Sequence, residues 1–360
     1  MRVSLLAAVL VVASAPALVA DEPEAKYKGK PLDYWVEQLQ KAPTDEQQKV
    51  AAAAVAAFGR QAQPAVPKLL AMLEDRSWEF RGLIAEILLE IGPHTEGIVP
   101  VLAQRLKENK VCDPDLVIDL LRELDPDRKE TIPALIAALD HRETRFFAVR
   151  ELCKGPAVVK DALPTLRRAA LQIVLEEEKS PSKSVVKWQR YGKNNNHNMS
   201  DSLEDLHGLG EDAVPILLAL LDAPGKLGKT AALKEFAKLG PVAVKSAPAL
   251  KKQLKHDDPR VRYFACAALW AVAESPDVVP VLVQLMDAKA EPSVNWDMEA
   301  AKLLGDIGPK AKDALPPLKA LAQKQWDPAD YAVPSELFRP HSAQEAARWA
   351  IDRIEGKAKK

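Results

Sequence analysis

Aromatic residues are scarce in this chain, at 5% of 360 positions, and cysteines number only three. Cys112, Cys153 and Cys266 are widely spaced and form no C-x-x-C pair, which excludes a paired-cysteine zinc site and a thioredoxin-like motif. Cys153 and Cys266 fall within apolar helical patterns and read as small buried residues. A single bridge, Cys112 to Cys153, is compatible with an oxidising compartment. Charge of one sign is lacking too. The 50 Lys and Arg against 51 Asp and Glu leave a net charge of −1. A general nucleic-acid partner needs a basic excess to neutralise phosphates, so none is expected. No G-x-S-x-G or H-E-x-x-H sequence occurs, which removes the common hydrolase signatures.

Long uncharged runs are lacking except at the start, where residues 3–20 carry no charge after Arg2. Small residues precede candidate cleavage points after Ala17 and Ala20, and Asp21, Glu22 and Glu24 end the run abruptly. Residues 1–20 read as a secretory signal peptide, giving a chain that starts at or near Asp21 and is exported to the periplasm, the extracellular space or the cell envelope. The competing reading is an uncleaved anchor. Its length lies at the lower edge of a bilayer span and no basic stop follows, so no stable span is expected after cleavage. No cysteine follows the run, which argues against a lipoprotein.

What the chain does have is a recurring proline, preceded by an aliphatic residue or alanine and followed by a leucine-rich run. Pro67, Pro100, Pro133, Pro164, Pro215, Pro248, Pro280 and Pro316 are 31 to 36 residues apart, except for one gap of 51. Such a period marks stacked structural repeats. Proline suits the first helical turn, where its missing N–H is not needed. After each comes a first helix, a polar turn and a second helix, closed by Gly59, Gly92, Gly155, Gly240 or Gly308 in the left-handed conformation of a helix end. Phe80, Leu83, Ile84, Ile87, Leu88 and Ile91 share their offsets with Val261, Phe264, Ala265, Ala268, Leu269 and Val272, one apolar stripe repeated from unit to unit. The expected fold is all-α, an α-α superhelix (α-solenoid) of about nine helix pairs spanning residues 32–354. Residues 21–31 form a lead-in and 355–360 a basic tail. The first pair uses residues 32–39 and 47–58, the last 315–321 and 342–354. Insertions at 176–200 and 325–341 break the period. Each is either a tolerated surface loop or part of a binding face.

The period, the helix–turn–helix content and an acidic turn followed by a basic residue resemble the HEAT-repeat family. The matching positions are Asp75 with Arg81, Asp140 with Arg145, Asp257 or Asp258 with Arg262, and Asp222 with Lys229. The resemblance implies a ladder of these aspartates and arginines between repeats. It also implies a concave face made by the second helices, and a scaffold that binds a protein or peptide there. Armadillo-like repeats share the same class of fold. Enzymes built on HEAT-like solenoids, or a structural part in an envelope assembly, are the alternatives.

On that reading Glu79, Arg142, Lys229 and Arg260 are rim or face residues, with Trp78 and Trp296 as apolar anchors near second-helix starts. The mid-array insertion adds Lys187, Trp188, Arg190 and Tyr191 as a polar clamp. Trp35, Trp270 and Trp349 lie within helices and are expected in the core. The opposing view makes these solvated helix ends and a loose loop. Two chemical signals are discounted. Residues 223–230 resemble a degenerate phosphate-binding loop, but the run before them reads as a helix, so they are the turn inside a repeat. Glu204-x-x-His207 has the spacing of half a di-iron site with no second copy, and reads as solvated polar residues. No cofactor and no metal are expected.

Overall fold

The computed structural model describes residues 26–74, 77–92, 97–154, 160–180, 185–190, 193–287, 295–324 and 341–357. Residues 1–20, expected as a signal peptide, lie outside them, as does the second insertion up to residue 340. The chain packs as two units, Met1–Glu96 and Gly97–Lys360, and each is a run of consecutive helix pairs. That is the all-α solenoid architecture. Among the described residues the strands amount to two small hairpins.

In the first unit, β1 (Lys26–Tyr27) and β2 (Lys30–Pro31) form a hairpin within the lead-in. The Trp35 indole N–H donates to the Tyr27 carbonyl at 3.1 Å and fastens the hairpin to α1 (Leu32–Lys41). α1 packs on α2 (Asp45–Ala56), whose start is capped by Thr44 Oγ1 accepting from the Gln47 N–H. α3 (Val66–Met72) then pairs with α4 (Trp78–Ile91). Phe80, Ile84, Leu88 and Ile91 are all buried, as the stripe requires.

The second unit begins with α5 (Ile98–Lys107) and α6 (Pro114–Leu124), followed by α7 (Thr131–Ala138) and α8 (Arg142–Leu152). Then come α9 (Leu163–Lys179), the antiparallel strands β3 (Val185–Arg190) and β4 (Lys193–Asn198), and a 3-10 segment, Met199–Ala213. The regular pairs that follow are α10 (Val214–Asp222) with α11 (Leu227–Leu239), and α12 (Ala247–Gln253) with α13 (Pro259–Ala273). The last are α14 (Val278–Met286) with α15 (Trp296–Ile307), and α16 (Leu315–Gln323) with α17 (His341–Ile354).

Three features depart from expectation. First, three of the turns between repeats are 3-10 helices of 7 residues, Gly59–Ala65, Gly240–Ser246 and Gly308–Ala314. Each buries small residues three apart, as in Ala62 and Ala65 or Ala311 and Ala314. A 3-10 helix has three residues per turn, so these fall on one edge. The entering glycines Gly240 and Gly308 have φ of 58° and 68°. Second, the first insertion is not a loose loop. α9 runs on to Lys179, the hairpin follows, and residues 199–209 occupy the second-helix position as a 3-10 helix. Leu203, Leu206 and Leu209 are buried at a spacing of three, and Gly210 closes the element at φ 60°.

Third, Arg145 and Arg262 meet main-chain carbonyls rather than the carboxylates of the turn aspartates. Arg145 Nε donates to the Leu139 carbonyl at 2.9 Å, and Arg262 Nη1 to the His256 carbonyl at 2.8 Å. Lys229 Nζ donates to Ala223 O, and Gln48 Nε2 to Ala42 O at 3.3 Å. In each case a second-helix side chain reaches six residues back to a carbonyl of the turn that follows the first helix. Those carbonyls have no intrahelical partner and need one. The aspartates instead reach neighbouring repeats: Asp140 pairs with Arg168, and Asp258 with Lys226 at 3.3 Å. A ladder between repeats exists, therefore, with exchanged partners. Asp75 lies outside the described residues.

Candidate functional site

The second elements of the second unit carry a chain of compensated charges. Glu151 of α8 is buried, and its carboxylate meets Lys154 at 2.9 Å, Arg128 at 3.4 Å and Arg122 of α6 at 3.5 Å. An unpaired carboxylate there would be strongly destabilising; three cations answer it. Buried Asp115 of α6 pairs with Arg150 of α8, whose guanidinium lies over the Phe146 and Phe147 rings. Further along, the His207 ring Nδ1 is 2.8 Å from buried Glu235 of α11, and the His207 backbone N–H donates to the same oxygen at 2.9 Å. Lys238 completes that carboxylate at 2.7 Å. His207 is thus an interhelix tie rather than a solvated residue.

Three rings of α13 and α17 each carry a cation. Lys234 lies 5.5 Å from the Phe264 ring centre, Lys310 5.4 Å from that of Trp270, and the Arg353 guanidinium 5.0 Å from that of Trp349. Phe264 and Trp270 are half-buried and Trp349 is exposed. Such contacts hold both partners at the surface in fixed geometry. The Tyr263 hydroxyl donates to Glu299 at 3.5 Å. Burial, and then the Glu299 charge, push the Tyr263 phenol up to about 12.

Glu176, Glu177 and Glu178, at the end of α9, grip three successive second elements. Glu176 accepts from Arg145 at 3.1 Å and faces Arg142 at 3.5 Å, both on α8. Glu177 is buried and accepts from the Ser200 N–H at 2.9 Å and its hydroxyl at 3.1 Å, at the start of the 3-10 element. Glu178 accepts from the Lys226 and Leu227 N–H groups, each at 2.7 Å, where α11 begins. The phosphate-loop-like stretch 223–230 is therefore a turn inside a repeat, as expected. Its amides do cradle an anion, and that anion is the chain's own Glu178. Gly225, at φ 80°, gives the carboxylate room.

The residues singled out from sequence do not converge. Glu79 is exposed on the first turn of α4, and Arg142 is exposed at the first position of α8. Lys229 is committed to Ala223, and Arg260 is half-buried on the first turn of α13. All four sit at helix starts rather than along the helix faces. Trp78 opens α4 and Lys187, Trp188 and Arg190 lie on β3, but their side chains are outside the described residues, as is all of Tyr191. Two tryptophans exchange roles. Trp296, expected as an exposed anchor, is buried against Tyr263 with ring centres 5.8 Å apart. It occupies the first position of the stripe Trp296, Ala300, Leu304 and Ile307, in the register of Val261. Trp349, expected in the core, is 40% exposed, because the buried face of α17 is Ala343, Ala346, Ala347, Ala350 and Ile354. Its ring lies where a Cβ on Gly305 would stand, and Arg353 Nε donates to the Gly305 carbonyl at 3.0 Å. Cys153 and Cys266 are buried as expected. All three cysteines are free thiols, so Cys112 and Cys153 are not bridged. Burial raises the Cys266 thiol to about 12 and Cys153 higher still, which leaves both unreactive.

The architecture defines an α-solenoid repeat protein. The family model for HEAT repeats matches residues 247–332, which cover α12 to α16. No curated protein matches the chain. Among solved structures, the crystal structure of an engineered protein is 18% identical, covering 91% of this chain and 89% of that one at a TM-score of 0.41. That likeness is too distant to argue from. Among the described residues no helix is long and apolar enough to cross a membrane.

Proposed function

We propose that the chain is an exported HEAT-repeat scaffold that binds a protein or peptide along the second elements of its second unit, the face that lines the inner curve of such arrays. The supporting observation is the row of cation-topped rings, Phe264, Trp270 and Trp349, on α13 and α17. Aromatic side chains beside arginine or lysine supply the apolar area and fixed charge on which interface energy concentrates. Export is inferred from residues 1–20, whose apolar run ends as a processed leader does.

The test is capture of partners from the native envelope and extracellular fractions with the parent chain and with Trp270→Ala and Trp349→Ala. The expected result is a partner held by the parent and weakened at least tenfold by either change, roughly the loss of one interface anchor. Variants that stay helical and hold the same partner equally well would remove this face from the proposal. N-terminal sequencing of native material should begin at or near Asp21. An intact Met1 on cytoplasmic protein would remove export.

A further inference from the structure

A groove of about 540 Å³ between α12, α13 and α14 takes no part in the ring-bearing face. Lys251, Lys255, His256 and Arg262 line it together with Asp257 and Asp277. Asp277 neutralises Lys251 at 2.7 Å, which leaves Lys255 and Arg262 as the cations with no carboxylate partner among the described residues. Arg262 and His256 are fixed in place. Arg262 Nη1 is anchored by the His256 and Asp257 carbonyls, each at 2.8 Å. The His256 ring accepts the Asp258 N–H through Nδ1 at 3.0 Å, so the neutral ring carries its proton on Nε2.

The same fold contains a filled counterpart. Arg145 holds the equivalent place at the start of α8, reaching six residues back to a carbonyl after α7 as Arg262 does to one after α12. Its guanidinium receives the Glu176 carboxylate from the following repeat at 3.1 Å, with Arg142 beside it. Around Arg262, α14 presents Gln284 to the groove rather than a glutamate. We propose that this groove receives a carboxylate side chain from an acidic peptide segment of a partner. The carboxylate sits on Arg262 with Lys255 and His256 beside it, as Glu176 sits on Arg145. Guanidinium favours this ligand because its donors match the two carboxylate oxygens. The site lies at the turn edge of α12–α14, so it stands or falls separately from the ring-bearing face.

The test uses the full chain and fluorescein-labelled hexaglutamate, read by anisotropy at low ionic strength, with hexaglutamine and inorganic phosphate as competitors. Saturable binding is expected, and Lys255→Ser should weaken it about tenfold, the effect of losing one charge-assisted contact. Arg262→Met should weaken it at least as much, with helicity checked by circular dichroism because the change also removes the hydrogen bonds to the turn carbonyls. Lys252→Ser, an exposed α12 lysine outside the groove, should leave it unchanged. Equal losses from Lys252→Ser and Lys255→Ser would mean diffuse attraction and overturn the site. Absence of saturable binding would do the same. Displacement by phosphate but not by unlabelled hexaglutamate would make the groove a small-anion site and overturn the peptide assignment.

Discussion

The repeat built on α12 and α13 and the repeat built on α9 meet the same packing requirement with different secondary structure. In α13 the buried positions Val261, Ala265, Leu269 and Val272 follow the 3.6-residue period. In residues 199–209 the buried leucines come every third residue, the period of a 3-10 helix. Length matches as well. α13 has 15 residues, and at about 1.5 Å per residue it spans nearly the distance that residues 199–209 cover at about 2.0 Å each. A shorter sequence therefore reaches across the same layer. The weaker hydrogen-bond geometry of the 3-10 form is offset by outside ties, Glu177 at Ser200 and Glu235 at His207. A second element in this array is thus defined by a stripe of the right length, and the α-helix is one way to supply it.

The largest test of that comparison is the leucine spacing. Leu206→Ala should cost about 3 kcal/mol in chemical denaturation, the usual loss for a buried leucine. Glu204→Ala, two positions away on the solvent side, should stay within about 0.5 kcal/mol. Equal losses would mean residues 199–209 do not pack as a period-three stripe. Next comes close approach. A Cβ on Gly208 would collide with the Cys153 carbonyl at the end of α8, a backbone atom that cannot turn aside. Gly208→Ala should therefore cost about 2 kcal/mol. Gly305→Ala meets mainly the rim of the exposed Trp349 ring, which can swing away, although the Ala350 Cα is 3.0 Å off. Its melting temperature should fall less than that of Gly208→Ala; the reverse order would break the argument.

Much of the regular region was readable because its signals are local. Proline in the first turn and the repeated offsets define α3 with α4, and α12 with α13, to within a few residues, and Gly92 marks the end of α4. The burial of Trp296 was also legible, since it stands in the register of Val261. The 3-10 element carries no such signal, because its leucines recur every third residue rather than at the α-helical period of 3.6. Other features could not be read locally at all. Trp349 is exposed because α17 turns an alanine face inward and Gly305 leaves space beside the ring, a fact of two residues 44 positions apart in sequence. The seat of Glu178 in the α11 turn likewise joins residues 48 apart.

Glu178 offers a test of smaller effect. Glu178→Ala removes an anionic cap from the α11 start and should cost about 1 kcal/mol. Inorganic phosphate at high concentration should restore part of the loss, because the freed N–H groups of Lys226 and Leu227 form an anion site. The parent protein, whose site holds Glu178, should gain less from phosphate. Equal gains in both would show the ion acting generally rather than at this turn.

The smallest expected effect belongs to Glu177, where burial raises the carboxyl pKa above 4.5 against the lowering pull of the Ser200 donors. A carboxyl whose folded pKa exceeds its unfolded value contributes stability that is complete below the unfolded pKa and is lost as pH rises through the folded one. Between about pH 4 and pH 7 the parent should therefore lose stability relative to Glu177→Gln, which keeps a carbonyl acceptor for Ser200 without the charge. The relative change should be about 1 kcal/mol or less, the scale of a shift of one pKa unit. Denaturation midpoints of both proteins across that range measure it directly. If the parent instead gained on the variant as pH rose, the Ser200 donors would outweigh burial. Residues 199–209 would then be held by a Glu177 clasp that strengthens as the carboxyl loses its proton.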